Sequence, residues 1–103
     1  MIYYCDIDNT ICNTIGSNYK ESKPIKYRID YMNSLFDAGH EIHYWTARGG
    51  HSNIDWTDLT TEQLNDWGVK YTSLKMGKPS FDVFIDDKAF NDKAFFDDYC
   101  DGK

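Results

Sequence analysis

Two short apolar runs, Ile2-Tyr3-Tyr4-Cys5 and Val83-Phe84-Ile85, each break off directly into aspartate, at Asp6 and at Asp86-Asp87. Runs this short, rich in aromatic and β-branched residues, read as buried strands rather than helices. Between them, Ile25, Ile29, Met32, Leu35 and Phe36 recur at helical spacing. Pro24 suits the first turn of that helix, and Gly39 is placed to end it. Residues 41–46 read as a second strand and 69–74 as a weaker third, with 82–85 as the fourth. Thr60 with Gln63 matches a capping box, opening a short helix that carries Leu64 and Trp67 and stops at Gly68. Phe95, Phe96, Tyr99 and Cys100 follow at helical spacing, with Asn91 as cap. The stretch 11–23 is polar and reads as a loop or small flap. Strands alternating with helices predict an α/β fold with a mostly parallel sheet and helices on its faces.

The length of 103 residues predicts a single domain, 1–103, with one core. An apolar fraction of 41%, with 17% aromatic residues, argues for a packed globule over a disordered chain. No apolar run is long enough to span a membrane, and the first residues carry no basic region or small-residue cleavage site. Cys5, Cys12 and Cys100 form no CxxC pair. Their odd number suits reduced, incidental thiols in a cytoplasm better than disulfides or zinc. A formal charge of −6 offers no basic face to a nucleic acid. It also means that any phosphate site here needs local positive charge from a metal, a lysine or backbone N–H groups.

In parallel α/β sheets, ligands bind beyond the carboxyl ends of the strands. Three predicted strands end in reactive side chains: Asp6 and Asp8, Thr46, and Asp86-Asp87. That convergence suits phosphoryl transfer, which needs an in-line nucleophile, neutralised equatorial oxygens and help for the leaving group. Asp6 is placed to attack, forming an aspartyl-phosphate. Asp8, two residues on, is placed to act as general acid and then as base for water. Asp86 and Asp87 supply hard oxygen ligands for Mg2+. Thr46 offers a hydroxyl, the turn through Ala47 and Arg48 offers backbone N–H groups, and Lys78 offers a point charge. Asn9, Thr10, Ala47 and Arg48 are the candidate substrate contacts. With 14 aspartates and 7 threonines in the chain, Asp-x-Asp-x-Thr arises by chance in about one such chain in eight. The weight therefore rests on the ordered set.

That ordered set resembles the haloacid dehalogenase superfamily. Asp6-Ile7-Asp8-Asn9-Thr10 stands for its first motif, Thr46 for the second, Lys78 for the third and Ile85-Asp86-Asp87 for the fourth. The resemblance runs from Ile2 to about Phe95. It implies a Rossmann-like three-layer sandwich and a magnesium-dependent phosphatase acting on a phosphomonoester, a sugar phosphate or similar metabolite. Asp6 would be nucleophile and metal ligand, and Asp8 acid/base with its backbone carbonyl on the metal. Asp86 would be a direct ligand, with Asp87 binding through water or orienting the site, while Thr46 and Lys78 hold the phosphate. Asn9 stands where many members have glycine. The Tyr44–Gly49, Gly77–Pro79 and Ile85–Ala89 stretches look like a subgroup associated with capsule or surface-polysaccharide biosynthesis. The gaps after the first and second strands are too small for a cap domain, so a capless form is expected. A capless site cannot exclude water from a small substrate alone, so a homo-oligomer covering it is an expectation too.

Other functions fit parts of the pattern. A receiver-type signalling domain also uses aspartate, magnesium, threonine and lysine, but places its acidic pair first and its lysine last. A phosphotransferase would use the same residues, and a silent phosphate-binding module would share the fold. His51 follows Thr46 in a Gly-rich turn and is, with Arg48, a candidate specificity residue or a surface one; Trp56 is a core residue or lines the substrate entrance. His40 and His43 lack ligand-like partners and read as core or surface.

Overall fold

The computed structural model describes residues 1–49 and 54–99. Among these, strands β1 (Ile2–Cys5), β4 (Glu41–Trp45) and β5 (Ser73–Lys75) form one sheet in the order β1-β4-β5. Both pairings are parallel, with Cys5 opposite Tyr44 and Tyr44 opposite Leu74. Three helices accompany the sheet: α1 (Lys26–Asp37), α2 (Thr57–Asp66) and α3 (Asp92–Tyr99). This is the expected α/β class with a parallel sheet. The register aligns the carboxyl ends of β1 and β4, so Asp6 and Thr46 leave neighbouring strand ends.

The polar stretch between β1 and α1 is more ordered than a loop. A two-residue strand β2 (Cys12–Asn13) pairs antiparallel with β3 (Lys23–Pro24), closing a flap that contains a 3-10 turn at Tyr19–Glu21. Pro24 therefore sits in the flap's second strand, and α1 begins two residues later. The pairing survives the proline because the next residue donates instead, Ile25 N–H to the Ile11 carbonyl at 2.8 Å.

Helices α1 and α2 end by the same device. Gly39 and Gly68 adopt φ values of 98° and 72°. Gly39 N–H donates to the Phe36 carbonyl and His40 N–H to that of Leu35; Gly68 and Val69 repeat the pattern on Asn65 and Leu64. These paired bonds are a Schellman cap, whose left-handed residue glycine adopts without strain. The cap of α2 turns Val69 back onto Leu64, and both are buried in the core.

The core gathers Ile7, Ile11, Ile29, Met32, Ile42, Tyr44, Leu64, Val69 and Phe96. Each fully buried large apolar side chain contributes about 1.5–3 kcal/mol. Helix α3 joins α1 through Phe96 against Tyr31 and through Arg28, whose guanidinium lies 2.7 Å from Asp92 and 4.8 Å from the Phe96 ring centroid. Asn91 caps α3 as expected, its Oδ1 accepting the Lys93 N–H at 3.0 Å; Cys100 lies outside the described residues.

The third strand is shorter than the 69–74 the sequence predicts, covering only Ser73–Lys75, and two further expectations fail. Thr60 and Gln63 do not cap a helix, because α2 starts at Thr57 and both lie inside it, buried. Nor do residues 82–85 form a strand. Val83 is 73% and Ile85 92% exposed, and among the described residues β1 carries no strand on its outer side. The run is apolar enough to be buried but gains no ladder partner among the described residues.

Tyr44 is fully buried and its hydroxyl has no hydrogen-bond partner among the described residues. A desolvated, unpaired hydroxyl lowers stability, so Tyr44→Phe is expected to raise it by about 1 kcal/mol. The measurement is the urea midpoint at unchanged slope; a lower midpoint would show that the hydroxyl has a partner.

Candidate active site

The turn after β1 is fixed by its own backbone. Thr10 and Ile11 N–H groups both donate to the Ile7 carbonyl, at 3.1 and 3.0 Å. This tight reversal requires a left-handed residue, which is Asn9 at φ 61°. Asparagine tolerates that region where most side chains do not. Its side chain is committed to the flap, Oδ1 accepting Thr14 N–H at 3.1 Å, rather than extended as the substrate contact expected of it. Ile7 points into the core; Asp6 and Asp8, on either side of it, are both part-exposed.

Asp6 lies beside Lys78, its Oδ1 at 3.8 Å from Nζ. Lys78 is held there from several sides. Its N–H donates to the Thr46 carbonyl at 3.0 Å, and Thr46 N–H in turn donates to Lys75. Its ammonium stands over the rings of Phe81 and Trp45, at 5.4 and 5.9 Å from their centroids. Burial pushes the Asp6 carboxyl above the ordinary carboxylate range. The Lys78 charge and the Ile7 N–H pull it back down, and Asp8 and Asp92 add repulsion. Such a perturbed carboxyl beside a cation, in a cavity, marks a functional candidate.

Asp8 is held far more firmly. Arg48 Nε donates to its Oδ2 at 3.0 Å and Arg48 Nη2 to its Oδ1 at 2.8 Å, a bidentate pair. Oδ1 also accepts the Thr14 hydroxyl at 2.7 Å. Arg48 was expected to touch substrate. Its side chain is instead wholly buried, and Nη1 donates to Gln63 Oε1 at 2.6 Å and Thr60 Oγ1 at 3.1 Å. The Tyr19 ring covers the guanidinium at 4.8 Å. The polar face of α2 is thus turned inward to meet an arginine.

Thr46 is buried at the end of β4, its Oγ1 accepting the Arg48 N–H at 3.2 Å. The hydroxyl hydrogen is left to donate elsewhere. Ala47 is part-exposed between them. Gly49, at φ 83°, approaches so closely that a Cβ would lie 2.8 Å from the Ile54 carbonyl oxygen. Trp56 packs on Tyr19, with ring centroids 5.1 Å apart. His51 lies outside the described residues.

A cavity of about 940 Å³ brings Asp6, Thr10, Lys78 and Asp86 onto one lining, walled by Trp45, Phe81 and other aromatic side chains. Asp86 reaches this lining while its Oδ1 accepts the Lys88 N–H at 2.7 Å. Asp87 is exposed and does not line the cavity. Among the described residues no group of three His, Cys, Asp or Glu side chains converges on a metal position. The donor chemistry nevertheless suits magnesium, which takes hard oxygens and is commonly held by one or two carboxylates plus substrate. Asp6 and Asp86 are the carboxylates on the cavity lining near Lys78.

Sequence reasoning missed Thr14, Thr60 and Gln63. A usable signal was present. Thr60 and Gln63 fall three apart on the helical face that also carries Leu64, and an inward polar face calls for a buried partner. The thiols are not candidates: burial pushes Cys5 up to about 12 and raises Cys12 as well.

The chain is similar to a crystal structure of an MCSG target from Vibrio cholerae, at 28% identity and TM-score 0.80, covering 91% of this chain and 85% of that one. No protein-family profile matches the chain, and no curated protein matches it. The likeness supports the α/β fold and carries no statement of activity. No helix among the described residues is long and apolar enough to cross a membrane.

A carboxyl whose folded pKa is raised binds its proton more tightly in the folded state. It destabilises the fold increasingly as pH rises from its unfolded value through its folded one. With a chelator present, Asp6→Asn is therefore expected to be more stable than the native chain at pH 7. The gap should close on acidification toward about pH 4. Thermal melts across that range are the measurement, and a constant gap would refute the assignment of the shift to Asp6.

Proposed function

We propose that the chain is a capless phosphatase of the haloacid dehalogenase superfamily, with that family's three-layer Rossmann-like sandwich, hydrolysing a phosphomonoester such as a sugar phosphate. The observation that carries the reading is the cavity along the outer side of β1, where a part-buried Asp6 faces Lys78 with Asp86 on the same lining. Asp8 and Thr46 stand at the adjoining turns, outside that lining. An isolated acid pair in so aspartate-rich a chain would not reproduce that grouping.

In the proposed reaction an Asp6 oxygen attacks phosphorus and the bond to the leaving oxygen breaks. Asp8 gives that oxygen its proton. Asp8 then takes a proton from water as the water oxygen attacks, the Asp6–phosphorus bond breaks, and inorganic phosphate leaves. Lys78, opposite Asp6, balances charge on the phosphoryl oxygens, and the Thr46 hydroxyl and the turn through Ala47 supply donors to them. Magnesium held by Asp6, the Asp8 carbonyl and Asp86 would supply further neutralisation of phosphate charge. The cavity is open and wide, so cover from a second subunit is part of the proposal, as is a cytoplasmic setting.

The test is phosphate release from p-nitrophenyl phosphate and a panel of sugar phosphates, with magnesium and with chelator. Asp6→Asn is expected to fall to background, and Asp8→Asn by about 10²–10⁴-fold. Chelation should abolish turnover. Full activity of Asp6→Asn would sink the nucleophile, and indifference to chelator would sink the metal.

A further inference from the structure

We infer that Arg48 is a positioning residue that aims the Asp8 carboxylate, with Thr60 and Gln63 of α2 holding the guanidinium in register; this rests on the phosphatase reading proposed above. A guanidinium has five N–H groups in a rigid fork. Two reach both oxygens of Asp8, at 3.0 and 2.8 Å, and Nη1 serves Gln63 and Thr60. With its side chain wholly buried, Arg48 has no surface left for substrate.

A carboxylate held at both oxygens by a planar fork cannot rotate about its last bond without breaking two charge-assisted bonds. Asp8 otherwise sits on a turn, the kind of segment where a side chain is least constrained. The fork is itself anchored away from the cavity, because Thr60 and Gln63 belong to a helix and Gln63 Nε2 donates to the Tyr19 carbonyl of the flap at 2.6 Å. The Thr14 hydroxyl, which touches both Asp8 and Ser22, completes the enclosure from the flap side. Arg48 thus reaches the chemistry only through Asp8. Misplacing a proton-transfer group by an ångström is enough to lose much of its effect.

If Arg48 acts through Asp8, the two losses must not multiply. The experiment is a kinetic cycle of native chain, Arg48→Met, Asp8→Asn and the double variant, on p-nitrophenyl phosphate with magnesium. Circular dichroism and thermal melts establish folding. Arg48→Met is expected to lower kcat about 10²-fold with KM within about threefold. The double variant should be no slower than Asp8→Asn within about threefold. Losses that multiply across the cycle, or a loss confined to KM, would overturn the inference while leaving the phosphatase reading intact. A native chain that releases no phosphate from any monoester would overturn both. Should Arg48→Met fail to fold, Gln63→Leu loosens the fork without removing its charge. It must then show a smaller kcat loss that vanishes in the Asp8→Asn background, and a loss that persists there refutes the assignment.

Discussion

A buried guanidinium, that of Arg48, sets the terms for the rest of this small structure. Taking that charge out of water costs several kcal/mol unless every donor is met and an opposite charge is close. The chain meets the demand from three separate segments: the turn after β1 gives Asp8, α2 gives Thr60 and Gln63, and the flap lays Tyr19 over the face. None of the three can move far without stranding the charge. The ion pair therefore contributes less as net stability than as a constraint on how flap, turn and helix sit together. A second buried arginine plays a comparable part on the other side. Arg28 spans the Thr10 carbonyl and Asp92, which ties α1 and α3 to the same turn.

These two cations act on an acidic protein. With a net charge of −6, carboxylates at the strand ends would repel one another and any phosphate. The cations are allotted unequally, and that allotment separates two neighbouring aspartates. Asp8 receives the full bidentate grip of Arg48. Asp6 receives only Lys78, at 3.8 Å and shared with two aromatic rings, and is left raised by burial. One carboxylate is fixed while its neighbour stays available to a reacting atom. Under the proposed function, environment rather than residue type divides the roles.

What could be read from the sequence was whatever depends on local chemistry. Gly39 and Gly68 marked helix ends because a left-handed residue there needs no tertiary support. Asn91 marked the start of α3 because a cap is satisfied within one turn. Ile2–Cys5 and Glu41–Trp45 read as strands because their apolar character matches a paired position. Thr60 and Gln63 were misread for the opposite reason. Their capping-box spacing is also the spacing of a helix face, and only the partner 12 residues away in Arg48 decides between them. Arg48 itself was read as a substrate contact since nothing local reveals that its fork turns inward. The ordered set of Asp6, Thr46 and Lys78 was legible, and their proximity follows from the parallel pairing of β1 with β4 and the bond from Lys78 N–H to Thr46.

The run at 82–85 is the most informative mismatch. Local propensity favours a strand, but a strand needs a ladder, and the outer side of β1 offers one that is not taken. The consequence is a site that is complete on the β4 side and open on the β1 side. On the closed side, Asp8, Thr46 and Lys78 are all held by bonds to neighbouring segments. On the open side, Asp86 reaches the cavity from a segment whose Val83 and Ile85 face solvent. Two carboxylates brought into one cavity without a cation between them repel each other, and each gains little by approaching alone. Under the proposed function, magnesium held by Asp6 and Asp86 would offset that repulsion, as the two arginines and Lys78 offset it on the other side.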